Sequence, residues 1–199
     1  MIYPKEFLDL VECFELLPGV GNRSAERFVY AIDNLSEKEV FNFAENLKKF
    51  KKNIKRCVIC GYYSSNDICD ICQDKSRDKS TICIVEDSKS VVTFEKAGNY
   101  KGVYHVLGGL ISPIDDVNPD DININSLFNG RINENIKEII IALAPSIEGE
   151  TTSLYLQKLL INKKIKVSRL SYGLPIGSNI EYLDPITLTK AIDDRKFIS

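Results

Sequence analysis

Cys57-Val58-Ile59-Cys60, then Gly61-Tyr62-Tyr63-Ser64-Ser65-Asn66-Asp67-Ile68, then Cys69-Asp70-Ile71-Cys72: two Cys-x-x-Cys pairs stand eight residues apart. Each pair has the length of a tight knuckle, and the short connection brings both knuckles to one ion. Four thiolates in a tetrahedron suit Zn²⁺, which has no redox chemistry of its own. Four protein ligands leave no open position, so such a site is structural. An iron–sulfur cluster is the competing metal reading. A disulfide framework would need an oxidising compartment, and the chain starts Met1-Ile2-Tyr3-Pro4-Lys5 without an apolar segment of secretory type. A thioredoxin-type site uses one such pair at a strand-to-helix turn, not two. Cys13 and Cys83 lie among apolar neighbours and are expected to be small buried hydrophobes.

Upstream of the cysteines the apolar spacing is helical. Phe7, Leu8, Val11 and Phe14 form one stripe, and Ala25, Phe28, Val29 and Ile32 a second. A third helix starts at Ser36 with Glu39 three residues on, a capping-box pattern, and is expected to bury Val40, Phe43, Ala44 and Leu47. Downstream the pattern alternates between strand and helix. Thr81-Ile82-Cys83-Ile84-Val85-Glu86 suits a buried central strand of a parallel sheet. Strands are also expected at Val103–Leu107, Glu138–Leu143 and Ile165–Leu170, with helices from Asp87-Ser88 through Ala97, at Thr151–Ile161 and at Pro185–Asp193. The polar stretch Asp74–Ser80 reads as a linker. His105, the only histidine, falls mid-strand without a Cys or acid neighbour and reads as a core residue, which weakens any His-dependent hydrolytic mechanism.

At 199 residues and 44% hydrophobic content the chain can bury a core, and no apolar run approaches a membrane span. A cytoplasmic protein without membrane contact is expected. The net charge of −2 does not by itself suggest a nucleic-acid binder. Its distribution does: Lys48, Lys49, Lys51, Lys52, Lys55 and Arg56 form a run with no acid between Asn46 and Asn66. Such a run is either a solvated helix end or a phosphate-facing patch.

Leu17-Pro18-Gly19-Val20-Gly21 joins the first two helices, with Arg23 and Arg27 following one turn apart on a shared face. This resembles the helix-hairpin-helix motif, whose amides and basic residues grip the sugar-phosphate backbone without reading bases. Gly19, Gly21, Arg23 and Arg27 are its candidate DNA-binding residues.

The strand ending in Glu86, together with Ala144-Pro145-Ser146-Ile147-Glu148-Gly149-Glu150, resembles the Toprim domain of topoisomerases, primases and related nucleases. Catalytic members hold Mg²⁺ with a Glu and a later Asp-x-Asp pair. Here Ala144 and Ser146 occupy the Asp-x-Asp positions, which argues against a productive Mg²⁺ site. Glu86, Asp87 and Glu148 remain as acids at that end.

Helix-hairpin-helix, four-cysteine loop and Toprim, in this order and at this length, resemble the RecR family of bacterial recombination mediators. Arg169-Leu170-Ser171-Tyr172-Gly173-Leu174-Pro175-Ile176-Gly177 adds to the likeness, although the family often has His at position 172 and Gly at 178. The triplet 144–146 also departs from the family's Asn-Pro-Thr. The resemblance implies an α+β multi-module fold: helix-hairpin-helix helices (1–56), a four-cysteine zinc finger (57–72), a linker (73–80), an α/β Toprim domain with a mostly parallel sheet (81–175) and a C-terminal segment (176–199). It implies a non-enzymatic DNA-repair protein bound to duplex and gapped DNA. Dimers or ring-like tetramers would act with RecO, and in many bacteria RecF, to load RecA on DNA coated by single-strand-binding protein. Arg23, Arg27 and the basic run would then face phosphates, with the cysteine loop fixing where the run points, while Glu86, Asp87 and Glu148 would recruit RecO. A Mg²⁺-dependent Toprim nuclease or primase-like enzyme is the alternative, and a zinc-ribbon adaptor a more distant one.

Overall fold

A computed structural model describes residues 2–171, 174 and 177–195. The chain divides into two compact units, Met1–Ile54 and Lys55–Ser199.

The first unit is helical: α1 (Lys5–Glu15), α2 (Asn22–Asp33) and α3 (Glu37–Asn53). Val11, Ala25 and Val29 are buried where α1 and α2 pack, with Phe7, Leu10, Phe14 and Val20 half-buried around them. Phe14 and Phe28 rings lie 5.4 Å apart, and Tyr3 stacks on Phe7 at 4.4 Å. Ser36 and Glu39 form the capping box foreseen for α3. The rest of α3 departs from expectation. Phe43 and Leu47 are 46% and 56% exposed, Val40 and Ala44 only half-buried, because α1 and α2 close on each other and leave that stripe uncovered. Cys13 is likewise exposed, being off the 7-10-11-14 stripe that α1 turns inward.

The second unit opens with a short antiparallel pair, β1 (Lys55–Arg56) and β2 (Tyr63–Ser64), and the single-turn α4 (Asp70–Gln73). A four-stranded parallel sheet follows in the order β4-β3-β5-β6, from β3 (Asp78–Val85), β4 (Gly102–Val106), β5 (Glu138–Ala142) and β6 (Lys166–Arg169). Strand period sorts the core into two faces. Cys83, Val85, Tyr104 and Val106 pack with Val91 and Phe94 of α5 (Ser88–Ala97). Ile82, Ile84, Val103, Ile139 and Ile141 pack with Leu156 and Leu160 of α6 (Ile147–Leu160). Ile122, Ile124, Leu127 and Ile136, from the long β4–β5 connection, join the second face. That connection shows no helical or strand period, yet it contains a π-turn at Leu127–Arg131. Helix α7 (Pro185–Asp193) closes the described chain.

The stretch expected to be a linker is partly sheet. Asp78 N–H donates to Lys101 C=O (2.9 Å) and Lys137 N–H to Ser80 C=O (2.8 Å), so β3 begins three residues early, where its exposed end tolerates polar side chains. Arg77 is anchored too, pairing with Glu95 and Asp74. His105 is fully buried as foreseen, facing the β4–β5 connection, where its Nε2 meets the Asn123 carbonyl at 2.6 Å. No helix among the described residues is long and apolar enough to cross a membrane.

Candidate metal centre and nucleic-acid interface

Cys57, Cys60, Cys69 and Cys72 are 1–8% exposed, and their sulfurs all lie within 4.8 Å of one another. Cys60 and Cys69 Sγ approach to 3.5 Å. Ligands at about 2.3 Å from one tetrahedral Zn²⁺ stand about 3.8 Å apart, so the cluster has the required size. Backbone N–H groups point at the sulfurs, Tyr62 to Cys60 Sγ (3.4 Å) and Cys69 to Cys57 Sγ (3.3 Å), and such donors favour thiolates. The hydrogen bond between the two sulfurs pushes the Cys60 thiol up and holds Cys69 below an ordinary thiol. The donor set fits zinc.

Local backbone builds the knuckle. Gly61 sits at φ +75° and its N–H donates to Cys57 C=O at 2.9 Å. A Cβ there would stand 2.8 Å from both the Val106 oxygen and Asn123 Nδ2, so the turn is pressed against the sheet. Val106 N–H donates to Cys60 C=O (2.7 Å), and Arg131 Nη1 to Ile59 C=O (3.1 Å). Spacing in the sequence signals none of these long-range ties.

The end of the basic run is also spent on structure. Arg56 lies 4.3 Å over the Tyr63 ring and donates to Ser88 Oγ at 2.9 Å, while Lys55 pairs with Asp67 at 3.2 Å. These contacts favour a bracing role for both over the phosphate-facing one. In the first unit Lys48 pairs with Glu45, and Lys49, Lys51 and Lys52 are exposed.

The hairpin places two glycines and two exposed arginines at the start of α2. Gly19 takes φ +80° with nothing within 4 Å of a would-be Cβ, so the dihedral, not space, requires glycine. Gly21 caps α2 without any side-chain cap, and the first turn carries no acid. Ser24 and Ala25 N–H donate to the Gly21 carbonyl (2.9 and 3.0 Å), which leaves the Asn22 and Arg23 N–H groups at the helix start without a capping side chain. Arg23 and Arg27 are exposed on that helix and make no ion pair among the described residues.

At the Toprim end, Glu86 and the Ala144–Ser146 turn follow β3 and β5, adjacent parallel strands on either side of which the chain adds its further strands in opposite directions across the sheet. Burial, and then the Asp87 charge, push the Glu86 carboxyl up. Asp87 is the N-cap of α5, accepting from Ser90 N–H (2.8 Å) and Oγ (2.9 Å); burial raises its pKa, but these bonds outweigh it and hold the carboxyl low. Ser146 is the N-cap of α6, accepting from Gly149 N–H at 3.1 Å, so a helix cap stands where a catalytic Toprim has an acid. Glu148 is half-buried in the first turn, whereas Glu150 pairs with Arg169 (3.1 Å) and Lys190 (3.2 Å). Glu86, Asp87 and Glu148 thus share one end of the sheet. Among the described residues, however, only the cysteines bring three or more such ligand atoms together. Tyr172, Gly173, Pro175 and Ile176 of the Arg169–Gly177 motif lie outside the described residues.

Four family models match along the chain: the RecR helix-hairpin-helix at residues 7–51, the RecR four-cysteine zinc-finger domain at 54–74, the Toprim domain at 80–171 and the RecR C-terminal region at 173–196. The zinc-finger match and the cysteine geometry identify a four-cysteine zinc site. The chain is also 44% identical over 195 residues to "Recombination protein RecR" of Staphylococcus haemolyticus (strain JCSC1435), covering 98% of each protein. Identity and coverage are the same for the protein of that name from Staphylococcus aureus (strain Newman). With full-length similarity at this level and each module matched in order, the chain belongs to the RecR family of recombination proteins.

Proposed function

We propose that this chain is a DNA-binding recombination mediator of DNA repair that works by holding DNA rather than by catalysis. The observation that carries the reading is the uncapped N-terminus of α2 flanked by the exposed Arg23 and Arg27. That surface suits phosphate and has no means of reading bases. One copy presents few phosphate contacts, so several copies arranged as a dimer or ring-like tetramer gain by multivalency on duplex or gapped DNA. The division into 1–56, 57–72, 73–80, 81–175 and 176–199 and a cytoplasmic location belong to the same proposal.

The proposed task is to act with RecO, and with RecF where it is present, in loading RecA on DNA coated by single-strand-binding protein. Glu86, Asp87 and Glu148 are the proposed docking acids for a basic partner. Because Asp87 caps α5, its reversal would disturb the fold, so the test uses Glu86→Lys with Glu148→Lys. The double variant should keep its zinc and its DNA affinity, lose RecO binding and fail to support RecA loading on coated gapped DNA. Undiminished RecO binding would refute the docking assignment. Failure of the unaltered chain to bind DNA would refute the mediator reading itself. A Mg²⁺-dependent nuclease is disfavoured by Ala144 and by the capping role of Ser146, and plasmid nicking with Mg²⁺ or Mn²⁺ would revive it.

A further inference from the structure

A cavity of about 510 Å³ lies beside the zinc loop. Val58 and Ile59 of the first cysteine knuckle form one wall, and Ile82, Val103 and Ile136 of the core form another. Of the four ligands, Cys72 alone lines the space. It is also the most exposed of the set, at 8% against 1–3% for Cys57, Cys60 and Cys69. A small solute in the cavity therefore reaches this thiolate before the others.

The sulfurs differ in chemistry as well as in access. Cys57 Sγ accepts the Cys69 N–H (3.3 Å), and Cys60 Sγ accepts the Tyr62 N–H (3.4 Å). Cys72 Sγ accepts no backbone N–H among the described residues. Such donors stabilise a thiolate and make it a weaker nucleophile, since nucleophilicity falls with basicity. Zinc coordination keeps all four sulfurs as thiolates at neutral pH. Cys72 is thus more accessible than any other ligand and less damped than Cys57 or Cys60.

Arg131 lines the same space, and its charge acts on the Cys72 sulfur. Its Nη1 donates to the Ile59 carbonyl (3.1 Å), which fixes the guanidinium at the wall. A guanidinium carries five N–H donors, and those left over suit an oxygen that gains negative charge as an O–O bond breaks.

We propose that Cys72 is a peroxide-reactive site through which a hydroperoxide opens the zinc loop. The Cys72 thiolate attacks one oxygen of hydrogen peroxide: an S–O bond forms, the O–O bond breaks and hydroxide leaves beside Arg131. The sulfur is oxidised by two electrons to a sulfenic acid, and the peroxide is reduced by two. A second ligand thiolate then attacks that sulfur, forming an S–S bond as the S–O bond breaks. This releases a second hydroxide, and solvent supplies a proton to each. All four sulfurs lie within 4.8 Å of one another, so each of the other three is placed to close the disulfide. With two thiolates gone the metal is lost, and the knuckle that covers the Val106 N–H comes loose. The inference rests on the zinc site and is independent of the hairpin and of the docking acids.

Hydrogen peroxide added to the zinc-loaded full chain tests it. A zinc-responsive dye follows metal release, a 1,3-diketone traps sulfenic acid, and mass spectrometry maps labels and disulfides. Cys72 should be trapped first, about ten-fold faster than the other three ligands, and the first disulfide should include it. Labelling of the exposed Cys13 is read separately and releases no zinc. Cys72→His keeps four ligands and should slow peroxide-driven zinc release about ten-fold. If that variant takes up no zinc, the order of labelling in the unaltered chain decides alone. First labelling of Cys57, Cys60 or Cys69, unchanged zinc release in zinc-loaded Cys72→His, or an unmodified Cys72 at millimolar peroxide overturns the proposal.

Discussion

The backbone N–H of Val106 donates to the carbonyl oxygen of Cys60 at 2.7 Å. Val106 ends β4, the edge strand of the sheet, and Cys60 is a zinc ligand. An edge strand presents unpaired backbone groups that must be covered or solvated. The metal loop covers this one, so the ion holds part of the Toprim edge in place as well as its own knuckles.

Loss of the metal should therefore be felt in the sheet. Cys60→Ser, or chelation of the unaltered chain, should remove zinc, speed amide exchange at Val106 and lower Tm by about 10 °C. Metal analysis, hydrogen exchange and thermal melts read the three effects. A zinc-free protein with undisturbed Val106 protection would show that the contact is incidental.

Phosphate binding by the hairpin should appear as salt dependence. Replacing Arg23 and Arg27 together by Ala should weaken DNA binding and flatten the plot of log K against log salt, by about 0.9 for each phosphate no longer neutralised. Gly21→Ala provides a second probe. Its added methyl meets no protein atom within 4 Å, so a loss of DNA affinity in a stable variant reports blocked approach of the DNA backbone.

His105 makes stability pH-dependent. Burial lowers its pKa to about 4, below the ordinary value of 6.5. The unfolded chain therefore takes up a proton between these limits that the folded chain refuses, and stability falls as pH drops through that window. From pH 7.5 to pH 5 the loss from this group is about 2 kcal/mol. Denaturant titrations at the two pH values should show His105→Leu to be less pH-sensitive by that amount. Acid release of zinc adds a loss common to both proteins.

Gly149 is required by space. A Cβ at this position would lie 1.9 Å from the Ala144 oxygen, a backbone atom that cannot turn aside. Gly149→Ala should displace the start of α6 and cost about 2 kcal/mol. Urea melts measure the loss. Full retention of stability would mean that the turn relaxes freely.

Much of this molecule is legible locally. The cysteine spacing identifies the metal ligands, Ile82–Val85 marks the buried central strand, and Ser36 with Glu39 marks a helix start, because each depends on residues within one turn or one strand. Periodicity fails where it reveals a face without saying what covers it. The stripe of α3 is real, yet Phe43 and Leu47 remain exposed in their unit. The β4–β5 connection has no period to read, although it contributes Ile122, Ile124, Leu127 and Ile136 to the core and brings Arg131 to Ile59. In the sequence Arg56 is one more cation of a basic run; in the fold Tyr63 and Ser88 surround it.

By itself the sequence determined the cysteine ligand set, the glycine-rich hairpin, the strand-and-helix alternation and the two missing acids, all matters of residue type and short spacing. The cap that Asp87 gives the helix after β3 was legible in the same way. Only the tertiary structure decided that Ser146 serves as a helix cap, that Cys60 closes the edge of the sheet and that Arg131 walls a cavity. Apart from the Ser146 cap, these ties join residues distant along the chain. Such contacts form only once the sheet has brought its strands together, and no local pattern encodes which of them will meet.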